Sequence, residues 1–182
     1  MRILVGCEQT GIVQKAFELR GHDVWTCDLE PSRVNHPKHI QDDLIDVSRA
    51  GGWDMMIAHP PCTYLSYAGS RWNSPERNEQ QQKALLFFYL LLHAPIEKIA
   101  LENPRGLASK LVRKPDDIIE PYEFGHHVSK RTYLWLKNLP PLMKTCIDLD
   151  YMKGWTLSQH GFARSITFSG IAAAMASQWG GS

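Results

Sequence analysis

The feature that most constrains what this chain can fold into is an alternation between two hydrophobic periodicities. Short apolar runs of strand length are separated by longer stretches whose apolar residues recur at helical spacing. Arg2-Ile3-Leu4-Val5 is the first run and ends at Gly6. From Thr10 to Arg20 the apolar positions Ile12, Val13, Ala16, Phe17 and Leu19 follow a helical face, which Gly21 stops. Val24 to Cys27 reads as a second strand with an acidic end, Asp28-Leu29-Glu30-Pro31, and Asp54 to Ala58 as a third. A long helix over Asn78 to His93 precedes a fourth strand at Lys98 to Leu101. Arg131 to Leu136, with alternating Thr, Tyr and Trp, is a late strand, and Ser169 to Trp179 a terminal helix. This order predicts an α/β domain with a mostly parallel sheet and helices on both faces.

Ligands of such sheets bind beyond the carboxyl ends of the strands. That rule brings Gly6 to Gly11, Asp28 to Pro31, His59 to Ser66 and Glu102 to Arg105 onto one rim. The 182 residues suffice for one well-buried domain and are too few for two ordinary ones. The prolines around 115, 121 and 140 read as connections within that domain rather than a boundary. The longest apolar run, Ala84 to Leu92, is about half of what a bilayer span requires. Met1-Arg2-Ile3 leads into a strand rather than a signal peptide, so the expectation is a cytoplasmic protein.

Cysteines stand at 7, 27, 62 and 146, so no two form a C-x-x-C metal or redox pair. Cys27 and Cys146 are read as buried small hydrophobes. Net charge is only +1. Local basic clusters at Arg105, Lys110, Arg113 and Lys114, and at Lys130, Arg131 and Lys137, fit either a solvated face or phosphate contacts.

Several rim residues carry possible chemistry, each beside a plainer reading. The turn Gly6-Cys7-Glu8-Gln9-Thr10-Gly11 lacks a full G-x-G-x-x-G, and any tight strand-to-helix turn favours glycine. Asp28, at the end of the second strand, stands where ribose hydroxyls are bound, or serves as a cap. His59-Pro60-Pro61-Cys62 stiffens the chain as it leaves the sheet and presents a thiol to a pocket; that thiol is a nucleophile or fills a gap. Glu102 follows an apolar strand. Partial desolvation there would raise its pKa and suit it to donate a proton, unless it is a solvated strand end.

In this order, these residues resemble the DNA (cytosine-5)-methyltransferases along nearly the whole chain. Pro61-Cys62 is similar to that family's nucleophile motif, and the match runs through Ser66 and Gly69 into what would be the catalytic loop. Glu102-Asn103 resembles its Glu-Asn pair, with Pro104 in place of the usual valine. Asp28-Leu29-Glu30-Pro31 resembles the ribose segment, and Asp43 stands where an acid contacts adenine. Lys130-Arg131 resembles the later arginine strand, with Tyr133 at the second arginine, and Cys7 replaces the aromatic that usually stacks on the cofactor. Pro121 to Gly125, Trp135 to Pro140 and the ending Thr167-Phe168-x-Gly170-Ile171-Ala172 look more specifically like compact bacteriophage versions. Only about 30 residues separate the late strand from the terminal helix, where the family inserts a target-recognition domain.

The resemblance implies a Rossmann-like S-adenosylmethionine-dependent methyltransferase fold in one catalytic domain over 1–182, without a separate recognition domain. It implies methyl transfer to cytosine C5 in DNA, single-stranded or with the cytosine flipped out, in a bacterial or phage-infected cell. Cys62, Glu102 and Arg131 would be catalytic. Gly6, Cys7, Gly11, Asp28, Asp43 and Pro60 would bind S-adenosylmethionine, and Ser66, Asn103, Arg105 and Lys130 the nucleic acid. Amine methylation is disfavoured, because there an Asp or Asn precedes the two prolines and an aromatic follows; here these are His59 and Cys62. Two alternatives stay open: another one-carbon donor such as a folate, favoured by Cys7, and a non-catalytic nucleic-acid-binding relative.

Overall fold

The computed structural model describes residues 1–67, 74–146 and 166–181. Seven strands form one sheet in the order β3-β2-β1-β4-β5-β7-β6. The strands are β1 (Arg2–Gly6), β2 (Asp23–Asp28), β3 (His39–Gln41), β4 (Met55–Ala58), β5 (Lys98–Pro104), β6 (Asp117–Ile119) and β7 (Thr132–Lys137). β1 to β5 run parallel, while β7 is antiparallel to both β5 and β6. The helices are α1 (Ile12–Glu18), α2 (Leu44–Arg49), α3 (Pro75–Leu92), α4 (Ala108–Leu111) and α5 (Ser169–Trp179).

The central strands are buried on both faces, which is why β1 and β4 read as continuous apolar runs. Side chains alternate between the faces. Ile3, Val5, Met55, Ile57 and Ala100 pack with Val13 and Phe17 of α1 and with Ile171, Ala172 and Met175 of α5. Leu4, Met56, Ala58, Ile99 and Leu101 pack on the other side with Leu44 and Val47 of α2 and with Phe88 and Leu91 of α3. This two-sided core makes the structure a three-layer α/β sandwich, as the strand-helix alternation predicts.

Some expectations need correcting. β3, α2 and β6 give no periodic signal in the sequence and are found only in the structure. β5 continues through Glu102, Asn103 and Pro104, because β7 pairs with those residues as Leu134, Tyr133 and Thr132. Glu102 therefore lies within a strand rather than beyond one. Helix α3 starts at Pro75, earlier than expected, since the Ser74 hydroxyl accepts from Arg77 N and caps it. Cys27 is buried as expected, but Cys146 is exposed on the chain following β7. Gly69 and most of the segment between β7 and α5 lie outside the described residues.

Candidate active site

At the carboxyl edge of the sheet, the ends of β1, β2 and β4 frame a cleft of about 390 Å³, within the range of small-molecule sites. Cys7, Asp28 and Asp43 line it, together with Leu29, Leu44 and Pro61. Sequence reasoning missed the opposite wall, where Tyr64 and the α3 residues Lys83, Ala84 and Phe87 face the cleft. Nothing in a helical apolar pattern tells a cleft-lining Phe from a core one. Gly6 and Gly11 shape the floor without lining it. A Cβ on Gly6 would lie 2.2 Å from Leu44 Cδ2, so the absent side chain lets α2 close over β1. Gly11 has φ +67 and opens α1. Pro60 is buried behind Pro61.

Asp42 also lines the cleft, and the two acids expected there, Asp28 and Asp43, have local hydrogen bonds as well. Asp28 Oδ1 accepts from Glu30 N at 3.0 Å and from the Gln9 amide at 3.3 Å. Asp43 Oδ1 accepts from Ile45 N at 2.7 Å and caps α2. Each carboxylate is therefore held in a fixed orientation at the rim. A larger hollow of about 670 Å³ lies on the outer side of α1 and α5, lined by Ile12, Ala16, Leu19 and Ala173. It has none of these acids.

The second half of the site follows from strand register. Ala58 pairs with Leu101, so the next residues, His59 and Glu102, emerge side by side from β4 and β5. His59 Nδ1 and Glu102 Oε2 are 2.9 Å apart, with side chains only 10% and 13% exposed. Asn103 points to the other face and is buried. Its amide donates to the Pro60 carbonyl at 2.6 Å, and its Oδ1 has no partner among the described residues. Asn103, expected among the nucleic-acid contacts, fixes the backbone that leads to Cys62.

Cys62 is exposed, and its carbonyl accepts from Leu65 N at 3.1 Å and Ser66 N at 2.9 Å, closing a tight turn. Two contacts anchor that turn. Arg77 of α3 donates to the Thr63 carbonyl at 3.2 Å and lies over the Tyr64 ring. Leu107 N donates to the Leu65 carbonyl at 2.7 Å, beside an antiparallel bridge between Ser66 and Gly106. The chain segments after β4 and β5, which carry Cys62 and follow Glu102, are thus tied to each other.

The electrostatics reverse one expectation. Burial alone would raise the Glu102 carboxyl, but the hydrogen bond and charge of His59, with help from Lys130 and Thr167, hold it below the usual carboxylate range. Burial alone would lower the His59 imidazole, but Glu102, assisted by Glu8, raises it above its ordinary value. Both shifts favour an imidazolium beside a carboxylate over a lone protonated acid. Among the other thiols, burial followed by the charge of Asp28 pushes Cys7 far up, and burial pushes Cys27 up to about 12. Neither forms a thiolate near neutral pH.

The basic residues divide by their partners. Arg131 Nε donates to Glu120 Oε1 at 3.3 Å, and its side chain is 65% exposed. Lys130, rather than Arg131, is the cation that acts on the His59–Glu102 pair. Arg105 is exposed in the turn after β5. Arg113 is directed inward, to Asp116 at 2.7 Å and the Leu136 carbonyl at 2.8 Å, so it braces β7 rather than forming part of a basic face.

A seven-stranded sheet with only β7 reversed, with an acid-rimmed cleft over β1 and β2, is a Rossmann-like α/β fold that solved methyltransferases share. The solved Dnmt2 methyltransferase of S. pombe matches it with a TM-score of 0.51 and 19% identity over 77% of this chain and 50% of that one. A variant of Spodoptera frugiperda DNMT2 matches with a TM-score of 0.50 and 18% identity over 85% of this chain and 57% of that one. The chain thus spans about half the length of these solved structures, and at such identities the likeness establishes the fold. No protein-family profile and no curated protein sequence matches the chain.

Proposed function

We propose that this protein is a cytosine C5-methyltransferase acting on DNA, with Cys62 as nucleophile and Glu102 as the acid that serves N3 of the base. The observation that carries this reading is the tie between two adjacent strand ends. The exposed thiol of Cys62 follows β4, and the Glu102 carboxyl sits in β5 beside it, hydrogen-bonded to His59. Cytosine C5 is a weak nucleophile. Addition of the Cys62 thiolate to C6 would enrich C5 in electrons, while Glu102 would stabilise the adduct by hydrogen bonding N3.

The cleft chemistry suits S-adenosylmethionine. Asp28 would accept from the ribose hydroxyls and Asp43 from the adenine amino group, with Leu29, Leu44 and Phe87 offering apolar surface to the ring. When bound, that cofactor supplies the electrophilic methyl group that the activated C5 takes up. Phe87 gives the cleft an aromatic although Cys7 has replaced the one expected in the first turn. A base stacked in a duplex hides C6 from a thiol, so the substrate cytosine would be flipped out or single-stranded. Exposed Arg105 and Arg131, with Lys130 and Ser66, are the candidate contacts to its backbone. This reading treats the chain as one catalytic unit working in a bacterial or phage-infected cell.

An oligonucleotide containing 5-fluorocytosine tests the reading, since fluorine at C5 blocks the elimination and traps the adduct. With S-adenosylmethionine, the protein should form a covalent complex that maps to Cys62 by mass spectrometry. Cys62→Ser should form none, and Glu102→Gln should form it about 10²–10⁴-fold more slowly. Absence of adduct from the intact protein, or its formation with a folate and not with S-adenosylmethionine, would overturn the reading.

A further inference from the structure

We propose that His59 is the proton reservoir of Glu102, a positioning residue that acts on the base only through that carboxyl. This inference rests on the function proposed above. The register Ala58 to Leu101 makes the juxtaposition a built feature, because it is fixed by two adjacent central strands whose paired residues Met56, Ile57, Ala58, Ile99, Ala100 and Leu101 are buried. Three elements converge on the pair besides β4 and β5. Glu8 faces it from the turn after β1, Lys130 from the chain ahead of β7, and Thr167 from the chain ahead of α5.

A purely structural pair would be expected to satisfy its buried atoms. His59 Nε2 is instead buried without a partner among the described residues, and so is Oε2 of Glu8. The other Glu8 oxygen accepts from Val13 N at 3.0 Å and from the Thr10 hydroxyl at 3.2 Å, which fixes a carboxylate whose charge acts on the imidazole. An apolar pair of similar volume would cost the fold less than two desolvated ionisable groups. The arrangement favours a proton kept on His59.

The resulting step balances. As the Cys62 sulfur bonds to C6, the C5=C6 pair moves to C5=C4 and the C4=N3 pair becomes an N3–H bond. The proton for that bond comes from Glu102, which draws one from His59 Nδ1 and leaves a neutral imidazole beside a carboxylate. Once C5 has taken up the methyl group with the C4=C5 pair, the N3 pair re-forms C4=N3 and N3 gives its proton back to Glu102 and so to His59. The C5–H pair then forms C5=C6 as the C6–S bond breaks, and the C5 proton leaves to water. Without His59, Glu102 would have to hold its own proton, which carboxyls do only at lower pH.

Two readouts on the full chain test this and separate it from the parent reading. The first is an NMR titration of the His59 ring, assigned by its loss in His59→Gln. The imidazolium should persist above its ordinary value, and Glu102→Gln should return it to or below that value. The second is the rate of adduct formation on the 5-fluorocytosine oligonucleotide against pH. The descending alkaline limb should shift to lower pH in His59→Gln, giving a deficit of about tenfold or more near pH 8 that shrinks towards about pH 6. A deficit constant across pH, no deficit, or an unraised His59 titration would overturn the proposal. If the intact protein forms no adduct the function above fails, and the titration, which needs no substrate, still decides whether His59 holds the proton for Glu102. Should His59→Gln fail to fold, the ring is assigned through its correlations to the His59 backbone, and the wild-type titration still decides.

Discussion

A glutamate buried against an imidazole has consequences for stability that can be separated from any reaction. Glu102 is lowered when folded, so its contribution is present above the unfolded carboxylate value and is lost as pH falls through the folded one. His59 is raised, so its contribution is full below the unfolded histidine value and is lost as pH rises through the folded one. The two overlap fully between about pH 4.3 and 6.5. Urea unfolding should therefore show wild type exceeding His59→Gln by about 3 kcal/mol in that window, with the gap narrowing above it. A gap that widens with pH would mean that the imidazole is neutral in the fold.

At the scale of elements, the site depends on two loops held against each other. A Cβ on Gly106 would lie 2.0 Å from the Leu65 carbonyl oxygen, and neither backbone has a flexible end that could yield. Gly106→Ala should cost about 1–3 kcal/mol in thermal unfolding. It should also speed hydrogen exchange at the Leu65 and Ser66 amides, whose bonds to the Cys62 carbonyl define the turn after β4. Unchanged exchange there would show that the turn stands without the loop after β5. The same coupling explains why β5 runs on to Pro104: antiparallel β7 supplies partners that a parallel neighbour ending at Ala58 does not.

Over the described residues, helices cover both faces of the sheet, and the acid-rimmed cleft proposed for a small ligand lies at its carboxyl edge. Binding there stabilises the native state by mass action, about 2.7 kcal/mol at a hundredfold excess over Kd. S-adenosylmethionine should raise the melting temperature of the wild type and of Glu102→Gln alike. The rise should be reduced in Asp28→Asn, which keeps volume and loses the charge. Equal rises in all three would place the ligand elsewhere.

The alternation of Ile3–Val5, the α1 face, Val24–Cys27, Met55–Ala58 and Ile99–Leu101 was enough to determine an α/β sandwich and its functional rim. Buried parallel strands and helix faces each impose a period on the chain. The bounds of α5 were legible for the same reason, and the rim positions of Cys7, Asp28, Asp43 and Cys62 followed. β3 and β6, at three residues each, are too short to show a period, and only pairing with β2 and β7 makes them strands. The protonation of Glu102 was not legible. Its local sequence predicts a desolvated acid, whereas its state is set by His59, 43 residues away, through a strand register that exists only once the sheet has formed. Phe87 and Lys83 likewise became cleft residues only when α3 packed across the carboxyl edge, because a helical period records which face is apolar and not what that face meets.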